Sequence, residues 1–174
     1  MSLKTMHQKE KFSSLHIMSG TLFFCDIIVP MSTLNIHFLF VSNRMHWVLC
    51  AIDPFNNIVY YFDSLHSEEE IGTGKGVSED LREIIDVALF QFRSEMEIAT
   101  KLKMDTKWKT IKCPRQSNGV DCGYYVMRYM KEIISHKCTK IPESYFAGCQ
   151  FSHYDETQLD DVRLEWVRYV FQHI

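Results

Sequence analysis

The sequence predicts an α+β domain, with hairpin strands at its centre and helices packed around them. Three observations carry that expectation. Apolar runs at Phe38–Val41, Trp47–Ile52 and Ile58–Phe62 have the length of buried strands, and a turn-forming insert joins the last two. From Ser78 onward the apolar residues fall mainly at helical spacing. At 174 residues the chain is one domain of ordinary size, long enough to bury a real core.

Taken in order, residues 1–37 form an N-terminal segment with the least legible pattern, polar up to Ser14 and then apolar in patches broken by Gly20, Thr21 and Pro30. The domain proper is expected over residues 38–174. The insert Asp53-Pro54-Phe55-Asn56-Asn57 is rich in turn formers, so Trp47–Ile52 and Ile58–Phe62 should pair as a hairpin. His66–Ser78 is acidic and then glycine-rich, with Gly72, Gly74 and Gly76 alternating. It reads as a mobile surface loop, since no Gly-Lys-Ser/Thr follows to make a phosphate cradle. Ser78 is placed to cap a helix with Glu79 and Asp80 in its first turn. Leu81, Ile84, Ile85, Ala88, Leu89, Phe92 and Met96 form its core face. Trp108–Cys113 is expected as a short strand leading to Pro114 and Gln116. A helix opening at Cys122 carries Val126, Met130, Ile133 and Ile134 on one side. A last helix is marked by Leu159, Val162, Trp166, Val167, Val170 and Phe171.

The net charge of -3 offers no basic surface for nucleic acid. The apolar stretches Leu22–Met31 and Ile36–Val41 are interrupted by Asp26 and His37 and are too short to span a bilayer. No small-residue cleavage site follows an unbroken apolar core near the N-terminus. The expectation is an intracellular protein, nuclear or cytoplasmic and not secreted, with neither nucleic acid nor membrane as a partner. The six cysteines show no CxxC pair and no zinc spacing, so neither a metal nor another cofactor is expected. Cys25 and Cys50 sit in apolar settings and read as small core residues. Cys113, Cys138 and Cys149 have no distinguishing neighbours.

Cys122 differs. In Gln116-Ser117-Asn118-Gly119-Val120-Asp121-Cys122-Gly123-Tyr124 it stands where a polar loop meets a helical pattern. Unsatisfied N–H groups and the positive end of a helix favour a thiolate there. Gln116, six residues upstream, offers an amide to a developing oxyanion. His46 opens a strand beside Trp47, and Asp63 ends the paired strand seventeen residues later. Side by side at the open end of a hairpin, Asp63 can orient the His46 imidazole. Taken singly, His46 reads as an ordinary core or surface histidine, Asp63 as a turn cap and Gln116 as a loop amide. Asp121 reads as a structural or capping acid, because a carboxylate touching the thiolate would oppose its ionisation. Gly119 and Gly123 are expected where the backbone turns sharply or a substrate approaches closely. Nucleophile, base, orienter and oxyanion donor together constitute an acyl-transfer site.

The runs HWVLCAID, VYYFDSL and CPRQSNGVDCGYYVMRYM resemble the ubiquitin-like-protein-specific cysteine proteases, which process and deconjugate SUMO-type modifiers. The resemblance runs from about Phe38 to the C-terminus and is strongest to plant members, including those carried by transposons. It implies a papain-like core in circularly permuted order. It also implies His46, Asp63, Gln116 and Cys122 as the catalytic set, with Trp47 covering a substrate diglycine in a narrow tunnel. The implied partners are a SUMO-like modifier and its conjugates, met by a monomer that cleaves after the diglycine. The tryptophan that family members carry before the first strand has no counterpart ahead of Trp47, so residues 1–37 read as atypical or truncated. A weak or inactive modifier-binding module and an acyltransferase on the same fold are the alternatives.

Overall fold

The apolar runs assemble into a five-stranded sheet with its strands in sequence order. The structure is a computed structural model that describes residues 25–27, 36–43, 45–98, 105–138 and 140–173. The strands are β1 (Cys25–Ile27), β2 (His37–Asn43), β3 (His46–Asp53), β4 (Ile58–Phe62) and β5 (Lys107–Thr110). The first four pair antiparallel, and β5 runs parallel to β4. That parallel pairing requires a crossover, which α1 (Glu79–Glu95) supplies. Two more helices follow, α2 (Cys122–His136) and α3 (Glu156–His173). The architecture is α+β, as the patterning predicts. Strand β1 was not legible from the sequence, and the Cys25 side chain lies outside the described residues.

The β3–β4 hairpin forms at the expected insert. Asp53 accepts from the Asn56 N–H at 3.1 Å and from its amide at 2.8 Å. Asn57 takes φ 56°, a conformation asparagine tolerates well. Both faces of the sheet are covered, which is why β3 reads as a continuous apolar run. On one face Leu49, Ala51, Tyr60 and Phe62 pack with Tyr125, Val126, Tyr129 and Ile133 of α2. On the other, Val48, Cys50, Val59 and Tyr61 meet Leu81, Ile85 and Leu89 of α1.

Ser78 is the N-cap of α1 with Glu79 and Asp80 in the first turn, as expected, although its hydroxyl makes no capping bond. Two expectations need correction. The glycine-rich loop is pinned to β5 along its length. Gly72 N–H donates to Thr110 O at 2.8 Å, and the Thr110 hydroxyl donates to Lys75 O at 3.1 Å. Gly74 has φ 68°, and a Cβ there would lie 2.6 Å from the Trp108 Cβ, so glycine is required by close packing. Among the described side chains of α3 only Leu159 and Val162 are buried, while Trp166, Val167 and Phe171 are exposed. Beyond Leu159, which joins the core cluster of α2, its ties to that helix include the ion pairs of Arg128 with Asp161 and Lys131 with Glu165.

A buried hub fixes the segment between α2 and α3. Glu132, 4% exposed, accepts from Arg128 Nε at 3.0 Å and from the Tyr145 and Tyr154 hydroxyls at 2.7 Å each. Desolvation beside this carboxylate drives both tyrosine pKa values far up, so their protons stay in the bonds. Among the described residues no helix is long and apolar enough to cross a membrane.

Candidate active site

The hairpin puts His46 at the start of β3 and Asp63 one residue past the end of β4. Leu49 faces Phe62 in the ladder. Extending that register leaves Asp63 diagonal to His46 on the same face, within reach of a long side chain. The contact is made: His46 Nε2 lies 2.7 Å from Asp63 Oδ1. The Leu65 N–H donates to the same oxygen at 2.7 Å. Burial would raise the Asp63 carboxyl, but the bonds from His46 and Leu65 and the nearby His46 and His66 hold it below its ordinary value. With Nε2 committed to Asp63, Nδ1 is the ring nitrogen left for a proton transfer.

Gln116 is tied to the same strand end. Its N–H donates to Ser64 O at 3.0 Å, and the Ser64 hydroxyl donates to Gln116 Oε1 at 2.5 Å. One proton of the Gln116 amide goes to Asn118 O at 2.5 Å. These bonds fix which end of the amide is nitrogen and leave its second proton for another acceptor. Asn118 also shapes the turn into α2: its Oδ1 accepts from the N–H groups of Val120 at 3.0 Å and Asp121 at 3.1 Å.

Cys122 is the first residue of α2 and is 5% exposed, more enclosed than a surface nucleophile at a helix tip. The first-turn N–H groups of the helix lie next to it. Trp47 points to the α2 side of the sheet, where a Cβ built on Gly123 would meet its Cδ1 at 4.0 Å. Ser64 thus links the Asp63 and Gln116 positions, and Trp47 links the β3 start to the α2 start. The described hydrogen bonds include none between His46 and Cys122. Among the described residues no group of three His, Cys, Asp or Glu side chains could hold a metal ion.

Residues 27–165 match the Ulp1 protease family, C-terminal catalytic domain. The chain belongs to this family. No curated protein matches it. Among solved structures it is similar to "SUMO protease Ulp1 with the catalytic cysteine oxidized to a sulfenic acid". That similarity has 23% identity and a TM-score of 0.45, over 72% of this chain and 48% of the other. The chain thus spans about half the length of the Ulp1 chain it matches.

Within this Ulp1-family domain Asp121 takes the structural one of its two expected roles: it stands at the cap position of α2 without a side-chain capping bond. Its Oδ2 accepts from the Asn118 amide at 2.6 Å and its Oδ1 lies 3.2 Å from Arg163 Nη2. Gly119 has no atom within 4 Å of a built Cβ and Gly123 only an ordinary contact, so neither is demanded by the chain's own packing. Ser64, Asn118 and Arg163 went unrecognised in the sequence. The Asn-x-x-Asp spacing of Asn118 and Asp121 was a usable turn signal; Ser64 and Arg163 depend on tertiary placement.

Proposed function

We propose that the chain is a cysteine-type peptidase that cleaves after the C-terminal diglycine of a SUMO-like modifier, releasing it from conjugates or maturing its precursor. The observation that carries this reading is the His46–Asp63 bond of 2.7 Å at the sheet end that Ser64 ties to Gln116, in a chain of the Ulp1 family. The chain order His46, Asp63, Gln116, Cys122 fits a papain-like site in permuted arrangement. The PRQSNGVDCGYYVMRYM run supports a plant-type member.

In this mechanism His46 Nδ1 takes the Cys122 thiol proton, and the thiolate attacks the carbonyl carbon of the terminal glycine. Asp63 holds the ring's orientation and stabilises the imidazolium. The tetrahedral oxyanion accepts from the free proton of the Gln116 amide and from the Cys122 N–H, each donor worth about 3 kcal/mol. Collapse breaks the C–N bond, and His46 returns its proton to the departing lysine amine. Water, deprotonated by His46, then opens the thioester and regenerates the thiol. Trp47, beside Gly123, would cover the diglycine and exclude residues with side chains.

The test is covalent capture by modifiers bearing a C-terminal electrophile, SUMO beside ubiquitin, on wild type and Cys122→Ala. Labelling by SUMO that requires Cys122 supports the reading. Binding of SUMO without labelling or hydrolysis would make the domain a recognition module. Acylation of Cys122 from acyl-CoA would make it an acyltransferase.

A further inference from the structure

We infer that Arg163 is a positioning residue for Cys122: it neutralises the Asp121 carboxylate next to the nucleophile, and so keeps the thiolate form accessible. The inference rests on the proposed role of Cys122. It concerns a residue on the last helix, far from the other site residues in sequence.

Asp121 immediately precedes Cys122, and a carboxylate there opposes ionisation of the neighbouring thiol. The side chain of Asp121 is only 14% exposed, so water screens it poorly. Asn118 occupies one oxygen with a neutral amide, which supplies a hydrogen bond but no charge. The compensating charge comes from α3, where Arg163 Nη2 approaches Asp121 Oδ1 at 3.2 Å.

Arg163 is held for this task. Its Nη1 bonds Glu156 and lies 2.9 Å from Asp160 Oδ1, and its guanidinium carbon stands 4.6 Å from the centroid of the Tyr124 ring. Arg163 is shared: Asp160 and Glu156 hold its charge more strongly than Asp121 does, but they are 54% and 73% exposed and reach water, whereas Asp121 is 14% exposed. Among the described ion pairs, the charged groups at this end of α2 are Asp121 and Arg163, with Glu156 and Asp160 sharing the same guanidinium. Tyr124 supplies a neutral ring between α2 and α3. Removing Arg163 leaves a half-buried carboxylate, still bonded by the Asn118 amide, without a cationic partner one residue from the thiol.

The experiment measures alkylation of Cys122 by iodoacetamide from pH 5 to pH 9, quantified on the Cys122 peptide by mass spectrometry so that other thiols do not count. It needs no substrate, so failure of the proteolytic reading and failure of this inference are separable. Arg163→Gln should move the pH midpoint of Cys122 alkylation upward by about half a unit to one unit. Arg163→Lys should restore most of the shift. Asp121→Asn/Arg163→Gln should return the midpoint to that of wild type, because no carboxylate is left to compensate. Where the protein cleaves a modifier, Arg163→Gln should lower kcat/KM severalfold at pH 6 and converge on wild type at pH 9. Asp121→Asn alone should keep the wild-type midpoint or lower it, a readout independent of whether the Arg163 variants fold. An unmoved midpoint in folded Arg163→Gln, or a loss equal at all pH values that Asp121→Asn does not relieve, would overturn the inference. So would a raised midpoint in Asp121→Asn.

Discussion

His46 Nε2 meets Asp63 Oδ1 at 2.7 Å although seventeen residues separate them, because a hairpin returns the chain to its own starting edge. The bond involves a carboxylate with only 19% of its side chain exposed, and its other donor to the same oxygen is a backbone N–H. Among the described hydrogen bonds none involves the other imidazole nitrogen, Nδ1.

Asp63→Asn should lower kcat by about 10²–10⁴-fold with little change in fold, because an amide can present its N–H to the ring and favour the wrong tautomer. The variant also tests linkage. The folded carboxyl lies below its unfolded value, so its contribution is fully present above about pH 4 and is lost as pH falls through the folded value. Wild type should lose thermal stability on acidification below pH 4 more steeply than Asp63→Asn, as read by melting temperature from pH 2 to pH 6.

Gln116→Ala should lower kcat by about a hundredfold or more if its amide binds the oxyanion. Ser64→Ala keeps that amide but removes the hydroxyl that orients it at 2.5 Å. It should therefore show a smaller kcat loss in the same direction, about tenfold, with KM nearly constant. A change confined to KM in either variant would make Gln116 a binding residue.

Strands β2 to β4, the helices and the His46–Asp63 pairing were readable because periodicity and spacing are local. Ile58–Phe62 matches β4 to the residue. Of the residues expected on the α1 core face Leu81, Ile85 and Leu89 are buried, while Ile84, Ala88 and Phe92 are only half-buried and Arg93 is buried unexpectedly. What failed was set by tertiary contact. The glycine-rich loop looked mobile because its anchor, Thr110, lies over thirty residues away. The second half of α3 carried a core-like stripe, yet Trp166 and Phe171 remain exposed. Within the site, Asp121 was recognised as structural, but its partner Arg163 could not be found from spacing across 42 residues.

Glu132→Ala should be among the most destabilising single changes. It takes the buried carboxylate partner from Arg128, which keeps only Asp161 and the Gln158 carbonyl, and from two buried tyrosine hydroxyls. Breaking such a buried charge network costs about 3 kcal/mol or more, a fall in melting temperature of about 6–12 °C. Glu132→Gln keeps shape and hydrogen bonding but drops the charge, and should lose less. Equal melting temperatures for wild type and Glu132→Ala would remove the hub from the stability of the fold.

Gly123→Ala separates packing from function at one position. The added methyl would rest 4.0 Å from Trp47 Cδ1, an ordinary contact, and Gly123 lies within α2 without a positive φ. Replacing it should stabilise the protein by about 0.5–1 kcal/mol through reduced chain entropy and better helix propensity. If a diglycine tail passes between Trp47 and this turn, the same methyl occupies its path, and kcat/KM for a modifier conjugate should fall at least tenfold. A small thiol reagent is not confined to that path, so the alkylation rate of Cys122 should hardly change. Stability and substrate turnover therefore move in opposite directions. A variant that is more stable and fully active would show that the passage beside Trp47 is not the one the substrate uses.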